Sequence, residues 1–183
     1  MKKQRLPIDG GPTFSLSHRL YRLGWNTTWF LLASWTPPFM RGWRCMLLRL
    51  FGAKIGAGCD VRASARVWYP RNLVMEARTT MADGVICYNV DTVTLQQGAL
   101  VSQRAYLCTA SHAIDDPKFP LTHRPIRLER LSWIASDAFV GPGVTAGEGS
   151  VLGARGVAFA DLEAWQVYRG NPAQPLRRRK KIG

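Results

Sequence analysis

Apolar residues recur at every sixth position along most of the chain after Gly52. The series shifts its phase twice by two residues and is interrupted once. All 17 of its members are apolar, namely Ile55, Val61, Val67, Leu73, Met75, Met81, Cys87, Val93, Leu95, Val101, Leu107, Leu128, Ile134, Val140, Ala146, Leu152 and Ala158. A period of six indicates a parallel β-helix, in which each hexad forms a short strand and a corner, and three hexads close one coil. We therefore predict a mainly β fold, with the β-helix over residues 54–165.

The position four residues after each member of this series favours small side chains, and this supports the same fold. Cys59, Ala65, Ala99, Ala105 and Gly156 are examples. A small side chain lets the backbone turn tightly at a corner. A β-sandwich is the alternative, but its alternating strands have period two and would not favour every sixth position over the second and the fourth.

The period breaks once, because the series would continue from Leu107 at position 113 but resumes only at Leu128. Residues 113–127 are therefore predicted to leave the β-helix as a protruding loop. Their three prolines exclude a helix in this segment. A long ordered loop on a rigid scaffold commonly carries function.

The segment before the repeats, residues 14–53, has the pattern of amphipathic helices, and residues 1–13 are predicted to form a flexible arm. A first helix begins near Leu16, and its uncharged stretch is too short to span a bilayer before Pro37 and Pro38. A second helix is predicted from Pro38 to Phe51. Its apolar stripe contains Phe39, Trp43, Met46, Leu47 and Leu50, with Arg41, Arg44 and Arg49 on the opposite side. Two interpretations stay open: these helices cap the end of the β-helix, or they lie at a membrane interface.

The composition of the chain indicates a folded protein and the compartment in which it resides. The 183 residues are 46% hydrophobic, which is enough for a folded core. Four cysteines without a CxxC pair, and the lack of an early apolar signal segment, predict a cytoplasmic protein with free thiols.

The net charge of +13 is concentrated at the two ends, in residues 1–53 and in the basic tail of residues 166–183. Basic ends attract anions. Since no nucleic-acid-binding motif accompanies them, an anionic membrane or a phosphorylated ligand is favoured over nucleic acid.

Three motifs accompany the repeats: CTASH at 108–112, WIASDAFVGPGV at 133–144 and RGNPAQP at 169–175. With them the chain resembles the hexapeptide-repeat, left-handed β-helix acyltransferases, and most of all the colanic acid biosynthesis acetyltransferase type. Galactoside, maltose and nodulation-factor acetyltransferases are more distant relatives. The resemblance implies a homotrimer with active sites between subunits. It also implies acetyl-CoA as donor and a sugar hydroxyl as acceptor, in an exopolysaccharide or lipid-linked glycan precursor.

His112 is the predicted catalytic residue. Acyl transfer to a hydroxyl needs a base with a near-neutral pKa, which histidine provides. The residues alone leave a capping or solvent-facing histidine equally open, and the resemblance implies that His112 deprotonates the acceptor. Cys108 as a nucleophile is disfavoured, because no orienting partner is recognisable. The resemblance further suggests Asn89, Asp91 and Tyr69 as acceptor contacts, although Asp91 could instead form a turn and Tyr69 could pack against a neighbouring subunit.

The donor site is transferred from the family by position. The predicted contacts to coenzyme A are Ser136, Gly153, Ala154, Arg155, Arg177 and Arg178. The chain departs from its relatives at Phe159-Ala160, where a Thr-Lys pair is common. No metal is expected, because a zinc lyase built on hexapeptide coils needs three histidine ligands and only His112 and His123 lie near the coils. Acetylation of an amino sugar and an inactive scaffold remain the alternatives.

Overall fold

The computed structural model describes residues 13–181, so the predicted arm lies outside the described residues except for Thr13. The chain winds through three parallel sheets in turn. The first contains β1 (Lys54–Ile55), β4 (Leu73–Met75), β7 (Val93–Leu95), β12 (Ile126–Leu128) and β15 (Thr145–Ala146). The second contains β2 (Asp60–Val61), β5 (Thr80–Met81), β8 (Leu100–Val101), β13 (Trp133–Ile134), β16 (Val151–Leu152) and β18 (Gln166–Arg169), with β19 (Gln174–Arg178) antiparallel at its edge. The third contains β3 (Arg66–Val67), β6 (Ile86–Tyr88), β9 (Tyr106–Cys108), β14 (Phe139–Val140) and β17 (Val157–Ala158).

The core of this parallel β-helix consists of the residues that recur with period six. Of the 17 positions, 16 are buried and Ile55 is half-buried. The two phase shifts fall where the chain enters the first sheet. There β4 and β7 each have three residues, with both ends buried: Leu73 and Met75, and Val93 and Leu95. The predicted fold class is confirmed.

Two helices precede the coils. The first, α1 (Leu16–Leu32), begins after Ser15, whose side chain accepts a hydrogen bond from the His18 amide. It packs on the first coil through Trp25 and Trp29, whose indole N–H groups donate to the carbonyls of Val67 and Ala63. No helix among residues 13–181 has the length and hydropathy needed to cross a bilayer.

The second helix begins later than predicted, and the structure shows which of its sides faces the protein. Residues Pro38–Met40 form a 3-10 turn and α2 spans Arg41–Leu50. Arg44, predicted on the side opposite the apolar stripe, is fully buried, whereas Phe39 and Leu50 of that stripe are 83% and 72% exposed. Arg44 can be buried here because its guanidinium donates to main-chain carbonyls in the junction between the helices and the first coil.

The interruption of the repeats is an antiparallel ribbon. It consists of β10 (Ala110–His112) and β11 (Leu121–His123), joined by residues 113–120. The protrusion therefore begins before the predicted residue 113, and it also ends earlier. Ile126 and Arg127 already pair with Val93 and Thr94, and Ile126 is buried.

Candidate active site

His112 lies at the end of β10, where the ribbon leaves the β-helix. Its ring is half-buried and stacks on Phe119, with 4.4 Å between the ring centroids and 10° between the planes. Nδ1 of His112 lies 3.0 Å from the carbonyl oxygen of Phe119. Phe119 has a φ of 45°, in the left-handed region that residues other than glycine adopt only rarely. The carbonyl that contacts His112 therefore comes from a turn with an unusual backbone conformation.

This contact assigns the tautomer of His112. A carbonyl oxygen can only accept, so Nδ1 must carry the proton that it shares with Phe119. In the neutral ring Nε2 then keeps its lone pair and can accept a proton from a substrate. The Cys108 thiol donates to the Ala110 carbonyl and not to the His112 ring. The hydrogen bond that holds the ring is therefore made with the main chain of the ribbon, at Phe119.

A second histidine shares the face of the ribbon on which His112 lies. His112 pairs with Leu121 and His123 pairs with Ala110, and residues two apart on a strand point to the same side. Nδ1 of His123 lies 2.8 Å from Oδ2 of Asp91. The predicted residue Asp91 is thus at the foot of the ribbon, with a partner that sequence reasoning missed. Period-two alternation between positions 121 and 123 was the only available signal.

The side chain of Asn89, a predicted acceptor contact, bonds the main chain of the preceding coil. Its side chain is fully buried, and its amide accepts from the Tyr69 N–H at 2.9 Å and donates to the Tyr69 carbonyl at 2.8 Å. Both polar atoms are therefore occupied by the neighbouring coil and not available to a sugar. The Tyr69 ring is half-buried and packs on His18 and Tyr21 of α1, with centroids 4.4 Å and 4.9 Å apart.

Four of the six predicted donor-site residues line one hollow at the C-terminal end of the second sheet. We call this the donor hollow; its volume is about 440 Å³. Its lining is Trp133, Ala135, Ser136, Val151, Gly153, Ala154, Val167, Arg177 and Arg179. Among the described residues, two arginines and no carboxylate side chain contribute to it, so the hollow favours an anion.

The remaining two predicted residues lie elsewhere, and one residue was missed. Arg155 supports the corner, because its amide donates to the Ser136 carbonyl at 3.0 Å. Arg178 points away from the hollow and pairs with Glu163 at 3.6 Å. Arg179 lines the hollow beside Arg177, since alternate residues of a strand share a face.

Metal chemistry finds no support in the described part of the chain. Among residues 13–181, no group of three or more His, Cys, Asp or Glu side chains is arranged to hold a metal ion. The thiols of Cys45, Cys59 and Cys87 are buried, and burial raises the pKa of the Cys87 thiol.

Known proteins resemble the chain in sequence and in fold. A protein of Escherichia coli K12, provisionally named a colanic acid biosynthesis acetyltransferase (WcaF), is 39% identical over 155 residues, which is 85% of each chain. No protein-family model matches. A maltose O-acetyltransferase from Clostridium difficile 630 has a TM-score of 0.82 at 20% identity, over 91% of this chain and 90% of its own. A hexapeptide-repeat acetyltransferase from Vibrio cholerae, solved with acetyl coenzyme A, has a TM-score of 0.82 at 21% identity over 96% of both chains.

Proposed function

The chain belongs to the hexapeptide-repeat acetyltransferases, in the group named for colanic acid biosynthesis, and from this premise we propose that it O-acetylates a sugar of a glycan precursor. The donor is acetyl-CoA and the general base is His112. The observation that carries this proposal is the contact between His112 and the Phe119 carbonyl, because it leaves Nε2 unprotonated.

The chemistry proceeds by direct attack. Nε2 of His112 accepts the proton of the acceptor hydroxyl as its oxygen bonds to the carbonyl carbon of the thioester. The bond from carbon to sulfur then breaks, and the protonated imidazole returns the proton to the departing thiolate. The Phe119 carbonyl stabilises the imidazolium throughout, because Nδ1–H keeps donating to it.

The donor hollow fits the phosphates of acetyl-CoA. Arg177 and Arg179 supply cations, and Gly153 permits close approach to the main chain. Arg179 already donates to the carbonyls of Leu131 and Gly149 at 3.0 Å, so its guanidinium is held in place before any ligand arrives. We propose the acceptor glycan beside Asp91 and Tyr69, at the foot of the ribbon.

The enzyme acts as a homotrimer with active sites between subunits. Support comes from the outer side of the third sheet, where Tyr106, Phe139 and Phe159 form an aromatic ladder with centroids 5.4 Å apart. Phe159 is 66% exposed in the single chain, and a neighbouring copy would cover it. Light scattering after gel filtration should give three times the chain mass of 20.5 kDa, and a monomer would refute the trimer.

Transfer of labelled acetyl from acetyl-CoA into the membrane glycan fraction of the source cells tests the reaction. We expect His112→Ala to lose about 100-fold, the scale of a general base. Thr122→Ala, at an exposed position on the opposite face of the ribbon, is the control and should lose far less. Equal labelling by wild type and His112→Ala would remove His112 as base. Label that resists mild alkali would indicate an amide and favour acetylation of an amino sugar, and no label with either protein would favour an inactive scaffold.

We further propose that the enzyme works at the inner face of the plasma membrane, bound through an exposed apolar face of its helices. This face consists of Leu16, Leu20, Leu23, Phe30, Leu31, Trp35, Phe39, Trp43, Met46 and Leu50. The indole of Trp43 donates to the Leu32 carbonyl at 2.7 Å and so joins the faces of α1 and α2. Arg19 and Arg41 are exposed nearby, and no acid occurs between Asp9 and Asp60, which suits anionic lipid.

Flotation with liposomes tests the location. Wild type should float with vesicles of phosphatidylcholine and phosphatidylglycerol, and less with phosphatidylcholine alone. Leu20→Asp combined with Leu23→Asp should abolish flotation, whereas Ile114→Asp, at a residue 75% exposed on the ribbon, should not. Flotation that is unchanged in the double variant would refute the proposed face.

A further inference from the structure

A second cavity, larger than the donor hollow, lies between α1 and the third sheet. We call it the α1 groove; its volume is about 630 Å³. Five aromatic residues line it, namely Trp25, Trp29, Phe30, Trp68 and Tyr88, and Asn26, Ser34 and Ser64 add neutral polar groups. Its size is that of a small-molecule site.

Arg22 lies in the wall of this groove, and no acidic side chain of the described residues pairs with it. Its guanidinium carbon is 4.1 Å from the centre of the Trp68 ring, and its Nε is buried with no hydrogen-bond partner among residues 13–181. Burial lowers the pKa of Arg22, which means that the surroundings disfavour its charge. A half-buried cation that nothing in the described chain neutralises is costly unless an anion joins it.

Other residues in and near the groove do not balance the positive charge of Arg22. Arg66 adds a second cation, and none of the described residues that line the groove is Asp or Glu. His18 does not relieve the charge: burial, and then the repulsion of Arg22, lower the pKa of its ring. The groove thus combines aromatic surfaces with unpaired positive charge.

This combination identifies a class of ligand. Arginine binds phosphate oxygens through paired N–H groups, and aromatic faces pack on sugar rings, bases or apolar chains. Resting on the proposed function, we propose that the α1 groove binds the diphosphate that carries the acceptor sugar, with Arg22 and Arg66 on the phosphates. The chain would therefore acetylate an activated glycan and not a free sugar.

The groove is connected to both surfaces that this role requires. Tyr88 in its wall pairs in register with Cys108, and the Tyr88 carbonyl accepts from the Thr109 amide at 3.1 Å. The next residues form the strand that ends at His112. On its other side the groove is lined by Phe30, which also belongs to the exposed apolar face. A ligand in the groove can thus extend toward the ribbon and toward a membrane.

Binding followed by tryptophan fluorescence tests the proposal, since three of the seven tryptophans line the groove. Inorganic pyrophosphate is the first probe, with saturating coenzyme A present so that the donor hollow is occupied. Arg22→Gln should weaken pyrophosphate binding at least about tenfold, the scale of a charge-assisted hydrogen bond. Arg19→Gln, on the same helix but outside the groove, is the matched control and should change binding less than about twofold.

Two further probes separate the possible carriers of the diphosphate. Tighter binding of UDP-glucose than of pyrophosphate would support a nucleotide carrier, and tighter binding of farnesyl diphosphate would support a lipid carrier. Equal binding by wild type and Arg22→Gln would overturn the proposal, as would no binding of any of the three probes. His112→Ala should bind all probes like wild type, so a failure of the proposed acetyl transfer is distinguishable from a failure of the groove.

Discussion

Replacing Arg44 with methionine tests how the helices are anchored to the β-helix. The Arg44 side chain is fully buried and donates to the carbonyls of Val61, Pro37 and Pro38 at 2.6, 2.8 and 3.0 Å. It also donates to Thr36 and lies 3.6 Å from the Asp60 carboxylate. Methionine fills similar space but donates no hydrogen bond, so the carbonyls of Val61 and Pro38 lose the Arg44 side chain as donor and the Pro37 carbonyl keeps only the Met40 amide.

The expected loss follows from these contacts. Removing one partner of a buried ion pair costs about 3–5 kcal/mol, and we take the lower value of about 3 kcal/mol because Asp60 keeps Arg62 at 3.4 Å. For a chain of this size, each kcal/mol corresponds to about 2–4 °C in melting temperature. Arg44→Met should therefore melt about 6–12 °C below wild type.

Thermal unfolding followed by circular dichroism, at one fixed protein concentration, measures this difference. Arg41→Met is the matched control, because Arg41 belongs to the same helix but is exposed. It should stay within about 0.5 kcal/mol of wild type. Equal melting of Arg44→Met and wild type would refute the argument, and so would an equal loss in both variants, which would assign the effect to the helix as a whole.

Three further predictions concern the sites. Arg177→Gln should raise KM for acetyl-CoA about tenfold with little change in kcat, and a change in kcat alone would place Arg177 outside the donor site. Asn89→Ala should cost about 2–4 kcal/mol on denaturant unfolding, since two buried hydrogen bonds to Tyr69 are lost; unchanged stability would contradict the structural role. Because burial raises the pKa of Cys87, iodoacetamide should label Cys108 in the native protein well before Cys87, as mass spectrometry would detect, and the reverse order would count against the buried core.

The sequence predicts the β-helix well because its core positions are determined by packing between residues of the same and adjacent coils. A residue inside the β-helix, such as Leu95 or Ile134, contacts only such neighbours, and the side chain at each of these positions must be apolar. Period six therefore appears in the sequence directly. The ribbon was predicted less accurately, because β10 and β11 pair with each other and leave no six-residue signal.

Candidate functional residues could be predicted from the sequence only where their function requires one residue type at one position. His112 and Ser136 belong to motifs, and the structure places Ser136 in one hollow with Arg177, which was transferred from the family by position. Asn89 has the chemistry of a sugar ligand, but the same amide groups can satisfy buried main chain, and sequence cannot distinguish these uses.

The helices show why the hydrophobic pattern alone does not reveal which side of a helix packs on the protein. At 100° per residue, α1 carries Trp25 and Trp29 on one side and Leu16, Leu20 and Leu23 on the other, so apolarity does not say which side faces the protein. The choice depends on hydrogen bonding. Tryptophan can bury its ring and still donate its N–H to a coil carbonyl, as both tryptophans do, whereas leucine cannot satisfy any of the polar main chain that the first coil exposes. The same reasoning turns Arg44 inward on α2 and leaves apolar side chains such as Met46 and Leu50 exposed on the outside. The membrane contact proposed above would cover them, because the interior of a lipid bilayer requires no hydrogen bonds from the side chains that enter it.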